Sequence, residues 1–240
     1  MKLNKIILGL TLVAGLSLAG CASTKVSLSE FSPVAVIGVD GNPSLYLVDD
    51  NYETDEDADS ALTASVNKYL EGKNPEYLTA QDRLDYAEDY LRRALAEIGG
   101  FEVLDKDFVT KSDDYIYAKG ASLLGFMDPT ISATGYQSNM QTMGAKKARM
   151  LMGALGAKAL VSAQFEFDKK KNLNDVTAVV KMKVHFIDAQ GKEVVNKEYM
   201  AESSESVRNM GGKYNKDALV DLYPAVIENI INKFVVEYVE

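Results

Sequence analysis

Along this chain the spacing of apolar residues switches between continuous runs, alternation and helical periods. Pro33–Val39 (PVAVIGV) is apolar at consecutive positions and is bounded by Ser32 and by Asp40-Gly41-Asn42-Pro43. A short run of that kind, rich in β-branched residues, predicts a strand buried on both faces. Leu84, Ala87, Leu91, Ala94, Leu95 and Ile98 recur at helical spacing, with Thr79 as the expected N-cap and Gly99-Gly100 as the stop. Phe101–Leu104 predicts a short strand, and Asn139–Leu155 a second helix ending at Gly156. Ala157–Phe167, Val176–Ile187 and Glu193–Ala201 read as three strands. The last two are joined by Asp188-Ala189-Gln190-Gly191, whose glycine supplies a positive φ. Leu219, Leu222, Val226, Ile227, Ile230, Ile231, Phe234 and Tyr238 mark a closing helix, which Pro224 opens or kinks. Ser44–Leu78 is irregular apart from a short helix near Ala61–Tyr69, and Asp105–Ser138 has no single period.

The resulting order, β-α-β-α-β-β-β-α, predicts an α/β (α+β) fold: a single mixed β-sheet of about five strands flanked by helices. With no internal repeat and no long linker, 33–240 is expected to form one domain.

The beginning of the chain has a different grammar. Met1–Gly20 carries Lys2 and Lys5, then an apolar run from Ile6 to Ala19, then small residues, the layout of a secretory signal peptide. The run is shorter than the roughly 20 residues that a permanent membrane-spanning helix needs. Leu18-Ala19-Gly20-Cys21 resembles the bacterial lipobox. The resemblance implies cleavage before Cys21 and a diacylglyceryl, palmitate-bearing thiol there, with 1–20 the lipoprotein signal and 21–32 a lipidated Cys and short tether. Ordinary secretion, with cleavage after Ala22, is the alternative; it leaves the position of the only Cys in the chain unexplained. Several acyl chains hold far more firmly than one myristoyl group. Ala22, in place of the Asp associated with inner-membrane retention, implies the outer membrane, facing the periplasm.

Composition narrows the function classes. The 240 residues carry 26 basic against 35 acidic side chains, net −9, and no dense Lys/Arg tract of the kind nucleic-acid binding requires. One Cys excludes an internal disulfide and any multi-thiolate zinc cluster, and one His excludes any scheme built on a histidine pair.

VAVIGVDGN, LRRALAEIGGFEVLDKD and the pair LGAKALVSAQFEF…VVKMKVHFIDAQGKEVV together resemble a group of envelope proteins. The group includes the curli-secretion lipoprotein CsgG, the penicillin-binding-protein activator LpoB and the N-terminal domain of TolB. The resemblance implies the scaffold and a non-catalytic role. It does not extend to specific activities: the eleven-residue tether Ala22–Ser32 is far shorter than the activator's leader. Neither Ser44–Leu78 nor Asp105–Ser138 alternates as the strands of a secretion barrel do.

Five groups of residues are candidates for chemistry. Asp49, Asp50, Glu53, Asp55, Glu56, Asp57 and Asp59 form an acidic run, and Asp55, Asp57 and Asp59 have the first three spacings of a calcium loop. Ser60 stands where that loop needs Gly, and Val66 where it needs Glu, so the run is read as a solvated loop, with an irregular cation cage as the alternative. His185 alternates with Lys181 and Lys183 and is expected on a solvated strand face. Met127, Met140, Met143, Met150 and Met152 are read as core filling, with an adaptable binding groove as the alternative. Lys146, Lys147 and Arg149, with Lys169–Lys171, are read as solvated, or else as a contact for anionic headgroups. Tyr69, Tyr77, Tyr86 and Tyr90 lie on helical segments and are read as packing. The expected function is a lipid-anchored, non-enzymatic envelope protein without a cofactor, binding another envelope protein or itself. The alternative is an ion- or small-molecule-binding lipoprotein that uses 49–59 or the Met-rich helix.

Overall fold

The computed structural model describes residues 28–42, 80–118, 130–210 and 214–239. The signal segment, Cys21, the acidic run with Asp55, Asp57 and Asp59, the helix expected at Ala61–Tyr69, Thr79 and Met127 lie outside the described residues.

A mixed sheet forms the centre, as the apolar pattern predicts. Its strands are β1 (Val34–Gly41), β2 (Ile131–Ser132), β3 (Ala159–Lys171), β4 (Asp175–Asp188), β5 (Glu193–Glu202) and β6 (Val207–Arg208). Their order is β2-β1-β3-β4-β5, with β6 also paired to β4. β1 and β3 run parallel, Val34 beside Ala159, and the remaining pairs are antiparallel. Every residue of β1 is buried, which is why its sequence shows no alternation. The strand runs two residues beyond Val39, so Asp40 belongs to the sheet and not to the following turn. The Asn42 amide then continues the ladder, donating to Phe167 O at 3.1 Å and accepting from Phe167 N–H at 2.9 Å.

The helices are α1 (Gln81–Glu97), α2 (Lys106–Thr110), α3 (Asp113–Ala118), α4 (Ala145–Leu155), α5 (Lys216–Val220) and α6 (Tyr223–Val239). α1 and α6 pack against each other on one side of the sheet. They bury Leu84, Leu91 and Leu95 from the first and Ile227, Ile230, Ile231 and Phe234 from the second. Each such side chain contributes about 2 kcal/mol of apolar burial. Val180, Met182, Val184 and Phe186 line the same face of β4 and are fully buried. Tyr86 Oη donates to Glu228 and Tyr90 Oη to Asn232, tying α1 to α6. Glu88, buried on α1, takes Lys106 Nζ at 2.9 Å and Tyr136 Oη at 2.9 Å, so it fixes α2 and the chain after β2.

Four expectations are corrected. The helix expected from Thr79 has Ala80 at its N-cap, without a side-chain capping bond, and Ile98 at its end is largely exposed. Phe101–Leu104 is no full strand: only Val103 bridges to Val34, because the chain leaves the sheet at once into α2. The helix expected over Asn139–Leu155 is broken at Met143-Gly144 into a 3-10 turn, Met140–Thr142, and α4, since both break residues are extended. Leu219 and Leu222 do not belong to the closing helix: Leu219 lies in the separate α5, Leu222 precedes α6, and Pro224 opens α6, the first of its two expected roles.

Candidate functional site

The parallel pairing of β1 with β3 and the antiparallel pairing of β3 with β4 set Gly38, Ser162 and His185 in one row across the sheet. The row lies on the side covered by the 3-10 turn and α4. A Cβ on Gly38 would sit 3.3 Å from Met140 Cβ, so the turn rests directly on the strand. Ser162 is 2% exposed and His185 7%. The expectation of a solvated His185 is thereby corrected: Lys181 and Lys183 are partly open, but the cover reaches the end of β4 where His185 lies. Glu193, at the start of β5, pairs with His185 Nδ1. Among the described residues Ser162 Oγ and His185 Nε2 have no hydrogen-bond partner, so they do not bond to each other. Glu193, His185 and Ser162 thus have the order of a proton relay but not the serine–histidine bond that activates a nucleophile.

A second polar cluster sits on the same strand. Asp40, 1% exposed, accepts from Ser132 Oγ at 2.6 Å and from the Asn139 N–H at 2.8 Å. Ser132 Oγ also bonds Ser138 Oγ at 2.9 Å. Burial raises the Asp40 pKa above the usual carboxylate value, and the bonds from Ser132, Asn139 and Gln141 pull it back only in part. Nearby, Tyr115 Oη donates to Ile37 O and accepts from the Gln137 N–H, both at 2.9 Å; burial pushes this phenol up to about 12. These two clusters pin residues 132–139 to β1. Sequence reading missed both, although an Asp closing a fully apolar run is the signal that could have found the first.

Beside α4 lies a groove of about 330 Å³ lined by Asp114, Tyr117, Ala118, Lys146, Lys147, Met150 and Leu151. Met150 is exposed there, whereas Met140, Met143 and Met152 are core residues, so the methionines do not form one lining. Arg149 Nη1 donates to Gln190 O at 2.9 Å, joining α4 to the β4–β5 hairpin. The other basic group lies at the far end of β3, where Lys170 pairs with Glu202 and Lys169 stands over the Tyr214 ring. Tyr86 and Tyr90 pack between α1 and α6, as expected. Among the described residues no group of three or more His, Cys, Asp or Glu is placed to hold a metal ion, and no helix is long and apolar enough to cross a membrane.

No family model matches the chain, and no curated protein matches it in sequence. Solved structures give distant likenesses. Lipoprotein GNA1162 from Neisseria meningitidis is 14% identical over 83% of this chain and 97% of its own, with a TM-score of 0.33. The LpoB C-terminal domain from Salmonella enterica is 12% identical over 70% and 80%, with a TM-score of 0.31. The hypothetical protein CT253 from Chlamydia trachomatis is 12% identical over 86% and 92%, with a TM-score of 0.35. All three are distant structural resemblances. The chain has no match to one specific family among them.

Proposed function

We propose that the protein is a lipid-anchored component of a bacterial envelope, held through acylated Cys21 at the outer membrane on its periplasmic side, with a non-enzymatic binding or assembly role. The observation that carries the reading is the placement of the chain's single Cys directly after Leu18-Ala19-Gly20 at the end of a secretory signal. The folded body supports the binding role. The distal part of the sheet on the α4 side presents Gln164, Glu166, Lys181, Lys183 and Glu198 around a shallow depression. Met200, on the neighbouring strand, is also exposed. Polar strand faces with an isolated apolar side chain suit a wet, reversible interface with another envelope protein or a second copy.

Mass spectrometry of protein from its native host tests the anchor: the expected amino terminus is a triacylated Cys21, and an unmodified terminus beyond it refutes the reading. Photo-crosslinking from Met200 in intact envelopes tests the role. A discrete adduct is expected, and its absence, together with a monomeric sedimentation profile, counts against an assembly function.

A further inference from the structure

One end of the sheet gathers the first residues of β1 and β3, the last of β4 and the point where the tether joins the fold. Val34 opens β1 beside Ala159, Ala159 pairs with Asp188, and the Lys158 N–H donates to Pro33 O at 2.8 Å. The β4–β5 hairpin is at this end, and α4 is fastened to it through Arg149 and through Gly191, where an added Cβ would meet Ala145 O at 2.6 Å. Lys146, Lys147, Arg149, Lys158 and Lys192 are all exposed here, in a chain whose net charge is −9. Beside them Ile116, Tyr117 and Met150 are 50%, 80% and 59% exposed around the groove between α3 and α4. Asp113 and Asp114 on α3, Asp188 and Glu193 of the hairpin, and Glu30 and Glu102 near the tether balance these cations over the end as a whole, so the positive charge is concentrated on α4, which carries no acidic residue.

We infer that the α3–α4 groove and the adjoining hairpin form a docking surface for an anionic lipid bilayer. The inference rests on the lipid anchor proposed above. From Cys21 to Leu28 there are seven residue steps, which span about 25 Å at most, so an acylated chain keeps this end at the bilayer. Cations beside apolar and aromatic tips are the arrangement that meets headgroups and the acyl boundary together. The cluster Lys169–Lys171 has no such role: β3 carries it about 40 Å along the strand from Ala159.

The test uses the full, acylated chain in phosphatidylcholine vesicles with or without phosphatidylglycerol. Because acylation consumes the Cys21 sulfur, Met150→Cys gives a single reactive thiol for a fluorophore, and Lys170→Cys gives the control. Brominated lipid should quench the label at position 150 only when phosphatidylglycerol is present, and should leave the label at position 170 bright. High salt, which shortens the Debye length to about 3 Å, should release it. Lys146→Gln with Lys147→Gln should weaken docking about fivefold per lysine, with an unchanged melting profile confirming that the variant folds. Equal quenching at the two positions, or indifference to phosphatidylglycerol and to the lysine changes, overturns the docking surface. Shielding of the label at position 150 without quenching by lipid would put a second protein there and overturn it too. Flotation of the vesicles is scored separately: protein that fails to float refutes the anchor itself.

Discussion

Asp40 offers a direct test of how the centre of the domain is held. Its carboxylate is buried on β1 and accepts from Ser132 Oγ at 2.6 Å and the Asn139 N–H at 2.8 Å. Asp40→Ala strands the Asn139 N–H and removes charge-assisted bonds, for an expected loss of about 2–4 kcal/mol. Asp40→Asn is different. Its Oδ1 replaces the acceptor for Asn139, and its Nδ2 donates to Ser132 Oγ, which in turn donates to Ser138. With the burial penalty on the charge removed, Asn should lie within about 1 kcal/mol of the native protein at neutral pH, or above it. The pH dependence has a definite sign. Because burial raises the native pKa above the ordinary aspartate value, the folded state keeps a proton that the unfolded state has released. The stability of the native protein relative to Asp40→Asn therefore falls as pH rises from the unfolded pKa through the raised native one, and is level above it. Urea unfolding followed by far-ultraviolet circular dichroism across the acid-to-neutral range measures both quantities. An Asn variant as damaged as Ala at neutral pH, or a difference that stays flat with pH, refutes the reasoning.

Two further outcomes follow from the same packing. Gly191→Ala places a side chain at φ 75° and drives its Cβ to 2.6 Å from Ala145 O; the backbone alone costs about 1–2 kcal/mol, so a lowered melting temperature and faster proteolysis of the hairpin are expected, and an unchanged melt argues against the α4–hairpin contact. Tyr115→Phe strands the buried Ile37 carbonyl and the Gln137 N–H and should cost about 1–3 kcal/mol. The native phenol is pushed up to about 12, so its stabilising contribution is full below pH 10 and is lost as pH rises toward that value; the Phe variant should lack this part of the alkaline decline, as base titrations of both proteins would reveal.

What the sequence disclosed and what it concealed have a common physical basis. β1, α1, the β4–β5 hairpin and α6 are legible because each is dominated by its own apolar spacing. The α4 region is less so: Met143-Gly144 breaks the expected helix, and side-chain spacing carries no trace of that extended pair. His185 shows the limit most sharply. Its alternation with Lys181 and Lys183 reports which side of the strand it faces, but not how far the cover on that side reaches along the strand. The pairing with Glu193 depends on a register shift between Phe186 and Ile187, which sets Glu193 opposite Ile187 and so on the His185 side of the hairpin; regular alternation would place it on the other side. The Asp40 cluster depends on residues about ninety positions away, and no local period encodes such a meeting. The proposed anchor at Cys21 rests on residue order alone, since a lipobox is defined by sequence and not by a fold.

The position of α6 bears on the order in which the fold can close. Tyr86 and Tyr90 wait for Glu228 and Asn232, and β4 waits for Ile227, Ile230 and Phe234, all made after every strand is complete. Synthesis or threading that has stopped short of Tyr223 leaves α1 without its partner helix and half the sheet uncovered. Final closure is therefore a late event that depends on distant segments. Were the chain exported as proposed above, its fold would close only after its last helix had followed the strands.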